Sequence, residues 1–454
     1  MTIAELHKLF ISCGRRLTTD SRKIEGGEIF LAIKGDNFDG NSFAVQALEK
    51  GAAYAVVDAD SDIAKEVKKE PRNAEKISKR IIVFPDTVTA LRQLATYNRE
   101  NTLHNGRRIK MLALTGTNGK TTTKELIKAV LQTKYRITAT EGNLNNNLGV
   151  PFTLLGIKPD TELAIVEMGA SHPGDINELV DIAHPDFGLI TNVGRAHLLG
   201  FGSFEGVKRT KGELYDYIMK AGGKCFVNAD NPDLAGMVRE RPALATLPYG
   251  ATLQKASVLP CTPDEPFLRI SIDGVTVHTN LVGAYNMDNV LAALAVGDEF
   301  GVDRQDAIRA IEAYVPSNNR SQLVRTGRNT LIVDAYNANP SSMSAALDNF
   351  AAMQTGPKVI MLGDMLELGE DSLKEHRAIL NKALGLCPEL TILVGGEFAS
   401  AVKSGNAQGN KKVLCFPDSM SAAEHLSEIE PLEGCTILVK GSRGTRMENL
   451  LKEL

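Results

Sequence analysis

The chain has 454 residues, of which 43% are hydrophobic and 23% are charged, and its formal net charge is −4. This length exceeds what one hydrophobic core supports and predicts two to four domains of an ordinary globular protein. The small negative charge argues against nucleic acid or an anionic membrane as a partner, and no apolar run has the length of a membrane span.

The N-terminal stretch and the cysteines indicate a compartment. MTIAELHKLF carries acidic and polar residues and lacks the apolar core of a signal peptide, so we expect a cytoplasmic protein. The cysteines are scattered, and none have the CxxC spacing of a redox or zinc site, so reduced core thiols are expected. They are Cys13, Cys225, Cys261, Cys387, Cys415 and Cys435.

Residues 1–105 have the pattern of a small α/β domain. Apolar runs at 28–35, 53–59 and 80–86 predict short strands, and helical periodicity marks 43–51 and 87–100. Two polar loops, residues 19–22 and 35–40, are candidates for ligand binding. For each loop alone, a solvated turn is the simpler explanation.

A polar, glycine-bearing segment at 101–108 predicts a linker into a central domain, residues 106–314. This domain opens with an apolar run at 111–114, which predicts a buried strand. After a glycine turn, Leu126, Ile127, Val130 and Leu131 fall on one face of a helix. A strand, a tight turn and a helix start form an anion cradle, because backbone N–H groups and the helix dipole point at the same place.

The turn itself carries the residue types that bind a triphosphate. Lys120 would neutralise phosphate oxygens and the Thr121 hydroxyl would ligate Mg²⁺. Only two residues separate the glycines, where the usual P-loop has four, so the motif depends on its strand and helix context. The alternative is an ordinary glycine turn with a surface lysine. The predicted nucleotide-binding residues are Thr115, Gly116, Thr117, Asn118, Gly119, Lys120, Thr121 and Thr122.

Two further apolar runs of the central domain end on side chains that suit a metal. The run at 161–169 contains Glu167 near its end, and the run at 187–197 leads to His197. Ligands of open α/β sheets bind at the carboxyl ends of the strands, so Glu167 is a candidate Mg²⁺ ligand. A lone histidine is usually not a ligand, and the position of His197 makes the two readings about equal.

Three other features of the central domain allow a structural and a functional explanation. The Asn-rich stretch 143–147 predicts a loop, which is either solvated or hydrogen-bonded to a ligand. Lys208 and Lys211 lie on a predicted helix, where a solvated face is favoured. Asn286 opens another helix, and a helix cap is a simpler role for it than contact with adenine.

Residues 315–454 alternate strands and helices, with polar or glycine residues where strands end. Asp334 ends the first of these strands, and residues 440–443 (Lys-Gly-Ser-Arg) follow the last. This order predicts an open, parallel, doubly wound sheet of the Rossmann type. The lysine and arginine at its last strand end suggest an anionic partner, for example a carboxylate.

Taken together, these motifs resemble the Mur ligase family over nearly the whole chain. They occur in the family's order: TGTNGKTT, GNLNNNLGVP, VEMGASHPGDI, ITNVGRAHLLGFGS, KGEL, DAYNANPSSM, GDMLELGE and VKGSRG. The resemblance implies three α/β domains, which bind a UDP-sugar peptide (1–105), ATP on a P-loop-type core with a mainly parallel sheet (106–314) and the amino component (315–454). DAYNANPSSM and GDMLELGE favour the member that adds D-alanyl-D-alanine to UDP-N-acetylmuramoyl-tripeptide, with ATP and Mg²⁺.

The resemblance also implies roles for individual residues. Lys120, Glu167, His197 and Lys211 are expected to be catalytic, with Thr121, Glu167, His197 and an N-carbamylated Lys211 as metal ligands. The implied nucleotide contacts are Asn286, Asn289, Arg320 and Asp334. The implied substrate contacts are Ser21, Arg22, Asn143, Asn145 and Asn146 for the UDP-muramoyl peptide, and Asn337, Asn339, Ser442 and Arg443 for the dipeptide.

Two departures from the family pattern weaken individual assignments. The Pro-Gly-Arg-like turn before the third domain is Pro-Ser-Asn-Asn-Arg here, so Arg320 lacks its usual glycine. The usual Gly-x-His-Asn is Gly-Ala-Tyr-Asn, so Tyr285 replaces an imidazole. A sibling ligase that adds the third peptide residue and a folylpolyglutamate synthetase are alternatives, as is a P-loop nucleotide switch or ATPase. We expect a monomer.

Overall fold

The computed structural model describes residues 1–35, 38–69, 79–260, 262, 266–316, 321–353, 356–405, 407, 409–410 and 412–454. The chain forms two compact units. The first consists of Met1–Leu112, Arg136–Met168 and Glu178–Pro185, and the second of Ala113–Tyr135, Gly169–Asn177 and Asp186–Leu454. The fold is α/β, as predicted; the three predicted domain boundaries stay predictions.

The helices alternate with strands along most of the chain. The helices are α1 Ile3–Ser12, α2 Ala44–Glu49, α3 Asp62–Lys69, α4 Thr87–Asn101, α5 Lys120–Gln132, α6 Gly149–Leu155, α7 Asp175–Ala183, α8 Leu198–Phe201, α9 Phe204–Ala221, α10 Pro232–Arg239, α11 Met287–Glu299, α12 Arg304–Ala313, α13 Pro340–Ala352, α14 Ser372–Gly385, α15 Gly396–Lys403 and α16 Ser419–Glu428.

The strands are short and mostly buried. They are β1 Leu17–Thr18, β2 Ile29–Leu31, β3 Lys34–Gly35, β4 Phe38–Asp39, β5 Tyr54–Asp58, β6 Ile81–Phe84, β7 Leu103–His104, β8 Arg107–Arg108, β9 Lys110–Thr115, β10 Ile137–Ala139, β11 Leu163–Glu167, β12 Phe187–Ile190, β13 Lys224–Asn228, β14 Ala245–Tyr249, β15 Ala256–Leu259, β16 Arg269–Ile272, β17 Val275–His278, β18 Gln322–Arg325, β19 Thr330–Asp334, β20 Lys358–Gly363, β21 Leu390–Val394, β22 Val413–Phe416 and β23 Thr436–Lys440.

In the first unit, β1, β2, β5 and β6 form a parallel four-stranded sheet in that order. Phe30, Ala55 and Val57 lie in the core beneath α2, and β10 pairs in parallel with β11 elsewhere in the unit. The strands and helices predicted for residues 28–100 from apolar runs and helical periodicity are therefore confirmed, except that the strand predicted at 28–35 is divided into β2 and β3.

The phosphate-loop helix α5 is held in the second unit by its apolar face. Leu126, Ile127, Val130 and Leu131 are all at most 1% exposed, and α5 packs against α11. The two helices approach closely at Gly297, where a Cβ would lie 2.8 Å from Val130 Cγ1. Burial of four such side chains contributes several kcal/mol, which makes the amino end of α5 a rigid platform.

The last sheet has the order β18-β19-β23-β20-β21-β22. Its strands pair in parallel, except that β18 is an antiparallel edge strand. Alternate residues of β19 enter opposite cores: Ile332 packs with α13 and α14, whereas Leu331 and Val333 pack on the face that α16 covers. A doubly wound sheet with helices on both faces is therefore confirmed, with one antiparallel edge.

The cysteines partly depart from the expectation of core thiols. Cys225 and Cys435 are buried, but Cys387 and Cys415 are exposed, because Cys387 occupies a left-handed turn after α14 (φ 51°) and Cys415 lies on the edge strand β22. These residues and Cys13 are free thiols, whereas Cys261 lies outside the described residues. Within the part of the chain that the structure describes, no helix has the length and apolarity needed to cross a bilayer.

Candidate active site

The loop between β9 and α5 requires both of its glycines. Gly116 and Gly119 have φ angles of 144° and 78°, which L side chains rarely adopt. A Cβ at Gly116 would lie 2.0 Å from Thr191 Oγ1, and one at Gly119 would lie 2.7 Å from Asn289 Oδ1. The backbone therefore turns tightly and without side chains at the amino end of α5.

A second loop, after β12, holds this turn in place. Thr117 N donates to Asn192 O at 3.0 Å, and Asn118 N donates to Asn192 Oδ1 at 3.0 Å. Gly194 N donates to Thr117 Oγ1 at 2.9 Å. These bonds fix the phosphate loop, defined as residues 116–119, against the end of β12.

The predicted phosphate ligands lie around the start of α5. Lys120 Nζ donates to Gly116 O at 2.7 Å and to Thr117 O at 3.1 Å, so its ammonium group lies over the loop. Thr121 and Thr122 are half-buried on the first turn of α5, and Thr115 is fully buried in β9. A glycine turn, a helix start and a lysine over the turn together form an anion site.

Asn286 and Asn289 lie behind this loop. They are 2% and 6% exposed, and Asn289 accepts from Thr123 Oγ1 at 2.9 Å and donates to Asn286 Oδ1 at 2.8 Å. Asn286 Nδ2 donates to Val282 O at 2.8 Å, and its side chain makes no capping bond to α11. The cap explanation for Asn286 is therefore wrong, and contact of either residue with adenine stays a prediction.

Lys211 is buried on the inner face of α9, so the solvated-face explanation is wrong for it. It is 2% exposed, and its Nζ donates to Ala170 O at 3.4 Å and lies 5.5 Å from the centroid of the Phe201 ring. Burial lowers the pKa of Lys211 well below its ordinary value, and the charge of Lys120 lowers that pKa further. Burial thus favours the neutral form of the Lys211 amine.

Lys208, one helical turn earlier, has the opposite environment. Its ammonium group pairs with Asp233 at 2.9 Å and with Glu205 at 3.2 Å. The hydrogen bond to Asp233 raises the pKa of Lys208. The pKa values of the two lysines of α9 are therefore shifted in opposite directions, for reasons that their spacing in the sequence does not reveal.

His197 contacts a carboxylate that the sequence analysis did not identify. His197 has a left-handed backbone (φ 51°), and its Nδ1 bonds to Glu367 Oε2, from the loop after β20. Leu199 N donates to Glu367 O at 3.3 Å, which ties the same two loops. Metal-bound histidines commonly bond a carboxylate through the ring nitrogen that does not bind the metal. Because Nδ1 of His197 is bonded to Glu367, Nε2 is the nitrogen that would bind a metal.

Glu167 ends β11 in the first unit and is 1% exposed. Asn145 Nδ2 donates to its Oε1 at 2.9 Å, and Glu167 N donates to Thr140 Oγ1 at 3.0 Å. Asn146 accepts from Gly149 N at 2.8 Å, whereas Asn143 is exposed. The Asn-rich loop therefore orients the Glu167 carboxylate and starts α6.

Arg22 projects from a short turn of the first unit. Its guanidinium pairs with both carboxylate oxygens of Asp20 at 2.9 Å, and this pairing lowers the pKa of Asp20 to about 2. Ser21 is half-buried and its carbonyl accepts from Lys50 Nζ at 3.1 Å. Contact of Ser21 and Arg22 with substrate stays a prediction.

The strand ends of the last sheet form a second polar cluster. Lys440 is 1% exposed, and its Nζ lies 2.5 Å from Asp334 Oδ2 and 3.2 Å from Asn337 O. Ser442 is buried and accepts from Leu366 N at 3.2 Å.

Two exposed residues stand at the edge of this cluster. Arg443 places its guanidinium 5.4 Å from the centroid of the Tyr336 ring, and Asn337 is likewise exposed. Asn339, by contrast, is buried, and its side chain caps α13. Arg320 lies outside the described residues.

The comparisons with known proteins agree along the chain. Family models described as Mur ligase family, catalytic domain, as Mur ligase middle domain and as Mur ligase, glutamate ligase domain match residues 15–99, 114–297 and 319–443 respectively. The chain is 33% identical to the UDP-N-acetylmuramoyl-tripeptide--D-alanyl-D-alanine ligase of Bacillus subtilis over 451 residues. This alignment covers 96% of this chain and 92% of that protein.

Solved structures give the same result. MurF from Acinetobacter baumannii superposes with a TM-score of 0.81 at 31% identity, over 97% of this chain and 93% of that one. MurF from Thermotoga maritima in complex with ADP gives a TM-score of 0.79 at 26% identity, over 97% of each chain. The chain belongs to the Mur ligase family.

Proposed function

We propose that this ligase joins D-alanyl-D-alanine to UDP-N-acetylmuramoyl-tripeptide at the expense of ATP, in the cytoplasm and as a monomer. The observation that carries the proposal is the 33% identity, over 96% of the chain, to a ligase of that name. The product would be the UDP-muramoyl pentapeptide used for peptidoglycan.

The proposed division of labour follows three domains, residues 1–105, 106–314 and 315–454. Each range matched by a family model lies inside one of them. The first would bind the UDP-muramoyl peptide through Ser21 and Arg22, and the Asn-rich loop of the second domain would also contact this substrate. The second would bind ATP and the third the dipeptide.

The amino end of α5, which follows the phosphate loop, would bind the triphosphate, with Lys120 neutralising charge as the γ-phosphoryl group moves to the tripeptide carboxylate. Such transfers need positioning and charge stabilisation more than covalent help from the protein. The product of this step is an acyl phosphate. Because water hydrolyses an acyl phosphate, the third domain would close over the second when substrates are bound.

Two of the proposed metal ligands carry the oxygen donors that Mg²⁺ prefers: Glu167 a buried carboxylate and Thr121 a hydroxyl. His197 would add an imidazole that is bonded to Glu367. Within the described residues, no three His, Cys, Asp or Glu side chains are grouped as a metal site, so these ligands stay a proposal. Lys211 would add a carboxylate-like group if carbamylated: a buried amine with a lowered pKa is neutral enough to react with CO₂. When bound, the metal would neutralise phosphate oxygens.

The dipeptide would bind at the strand ends of the last sheet. Arg443 is exposed there and is held against Tyr336, so it is available to a carboxylate. Asn337 is exposed beside it. Asp334 and Lys440 satisfy each other within this cluster, so Asp334 would order the loop as well as reach ATP.

The deciding experiment measures phosphate release and product mass with ATP, Mg²⁺ and UDP-N-acetylmuramoyl-tripeptide, with and without D-alanyl-D-alanine. We expect release to require the dipeptide and to yield the pentapeptide. Release with a different amine would assign the chain to a sibling ligase or to a folylpolyglutamate synthetase. Release without any acceptor would indicate a nucleotide switch or ATPase.

A further inference from the structure

One pair of amide side chains joins the phosphate loop to helix α13. Asn339 Nδ2 donates to Asn118 Oδ1 at 2.8 Å. The two residues are 221 positions apart and belong to two different matched family domains. Asn339 is only 5% exposed and Asn118 is half-buried, so the bond is partly removed from water, which strengthens it.

The remaining polar groups of Asn339 hold the start of α13. Its Oδ1 accepts from Ser342 N at 2.9 Å, and its backbone N donates to Ser342 Oγ at 3.1 Å. This reciprocal arrangement is a capping box. Both side-chain polar atoms of Asn339 are therefore engaged by the protein, which argues against direct contact with a substrate.

The partner residue, Asn118, is equally well fixed. Its backbone N donates to Asn192 Oδ1 at 3.0 Å, and its carbonyl accepts from Thr191 Oγ1 at 2.7 Å. A second bond follows the same route, since Arg195 N donates to Ser341 Oγ at 3.2 Å. The amino end of α13 is thus tied to the phosphate loop and to the loop that supports it.

On its other side, Asn339 ends the segment 334–340, in which we place part of the dipeptide site. Lys440 Nζ donates to Asn337 O at 3.2 Å, and Ser442 Oγ donates to Ala338 O at 3.4 Å. Because Asn337 and Ala338 are bonded to residues at the end of β23 and just after it, we expect a displacement of Asn339 to shift Asn337 as well.

We propose that Asn339 is a positioning residue that sets the dipeptide amine against the acyl phosphate through its bond to Asn118. The inference rests on the proposed function. In that step the amine forms a C–N bond to the acyl carbon, the C–O bond to phosphate breaks with its electron pair, and the amine proton passes to the buffer. Water competes at the same carbon and gives tripeptide and phosphate instead.

The test measures ADP formed per pentapeptide formed, in wild type and in Asn339→Ser. Serine keeps an N-cap acceptor for α13 but is too short to reach Asn118. We expect the ligation rate to fall about 10- to 100-fold, as a displaced reactant pair predicts, with the KM for ATP little changed. The ratio should rise above one, because the acyl phosphate is lost to water.

Controls separate this role from others. Ser342→Ala disturbs the capping box but leaves the Asn118–Asn339 bond, and its ratio should stay at one. Asn339→Thr repeats the measurement with a second capping residue. Circular dichroism and thermal melting check that each variant is folded.

Two results would overturn the proposal. If ADP and pentapeptide fall together and the ratio stays at one, Asn339 has only a structural role. If saturating dipeptide restores the ratio to one, Asn339 is a dipeptide contact. A wild-type enzyme that makes no pentapeptide would instead refute the proposed function, so the two failures are distinguishable.

Discussion

Two strand-to-helix turns of the second unit differ in whether a side chain caps the helix that follows. Before α5, the turn is made of glycines with positive φ angles, and Gly119 has no side chain to cap the helix. Before α13, Asn339 caps the helix and Pro340 occupies its first position. No side chain caps the helix start at the first turn, which is the arrangement that binds anions, whereas a side chain caps the helix at the second turn.

The difference extends to charge. Beside the first turn, Lys120 donates to the carbonyls of Gly116 and Thr117, so its ammonium group lies over the loop. Beside the second, Lys440 is paired with Asp334. The same strand-turn-helix arrangement is therefore suited to anion binding before α5 and to loop stabilisation before α13. The difference comes from the side chains at each turn.

The largest effect should come from removing the charge at the first turn. Lys120→Met should lower kcat/KM by about 10³-fold, because one preorganised donor to a transferring group contributes roughly 10² to 10³. Steady-state kinetics measure it. Lys128→Met, on the same helix, is the matched control and should keep activity. A loss of less than tenfold for Lys120→Met would contradict the role of this turn.

Lys211 should rank next. Lys211→Ala is expected to lower activity about 10²- to 10³-fold, and short carboxylic acids such as acetate should restore part of it by replacing a carbamate oxygen donor. Lys208→Ala is the control on the same helix, since Lys208 is paired with Asp233. If carboxylates do not restore activity to Lys211→Ala, the result contradicts carbamylation of Lys211.

At the second turn, Asp334→Asn should reduce stability, because it leaves the buried ammonium group of Lys440 without its carboxylate. The expected loss is about 3 kcal/mol, measured by thermal or urea unfolding. Adding Lys440→Met should recover part of it. As a control, Asp348→Asn breaks an ion pair with Lys382 in which Asp348 is 67% exposed, and it should cost under about 1 kcal/mol. If the two variants lose the same free energy of unfolding, the Asp334–Lys440 pair contributes no more than an exposed ion pair.

The sequence predicted the first turn far better than the second. Apolar residues at 111–114, the helical face of Leu126 and Val130, and the glycine spacing are local features, and each was confirmed as a strand, a buried helix face and a tight turn. The position of Glu167 at the end of a buried strand was confirmed for the same reason.

Pairings between distant parts of the chain could not be predicted. The bonds of Asn339 to Asn118 and of Glu367 to His197 join residues 221 and 170 positions apart, and neither periodicity nor spacing encodes them. Lys211 was misjudged because helical spacing alone does not say which face of α9 is covered. Burial depends on tertiary packing.

The smallest effect concerns Glu367. Glu367→Gln weakens the acceptor that orients His197, so the Mg²⁺ concentration for half-maximal activity should rise about tenfold, as loss of such a partner usually causes. A Mg²⁺ titration at saturating ATP measures it. Glu370→Gln, in the same loop, is the matched control. An unchanged Mg²⁺ titration would show that Glu367 does not orient His197 for metal binding.

The central contrast between the two turns is tested most directly by a crystal structure with Mg²⁺, a non-hydrolysable ATP analogue and UDP-N-acetylmuramoyl-tripeptide. We predict that the β- and γ-phosphates lie at the amino end of α5, with Lys120 beside them, and that the amino end of α13 carries no phosphate. Phosphates bound at the amino end of α13, or away from both turns, would contradict it.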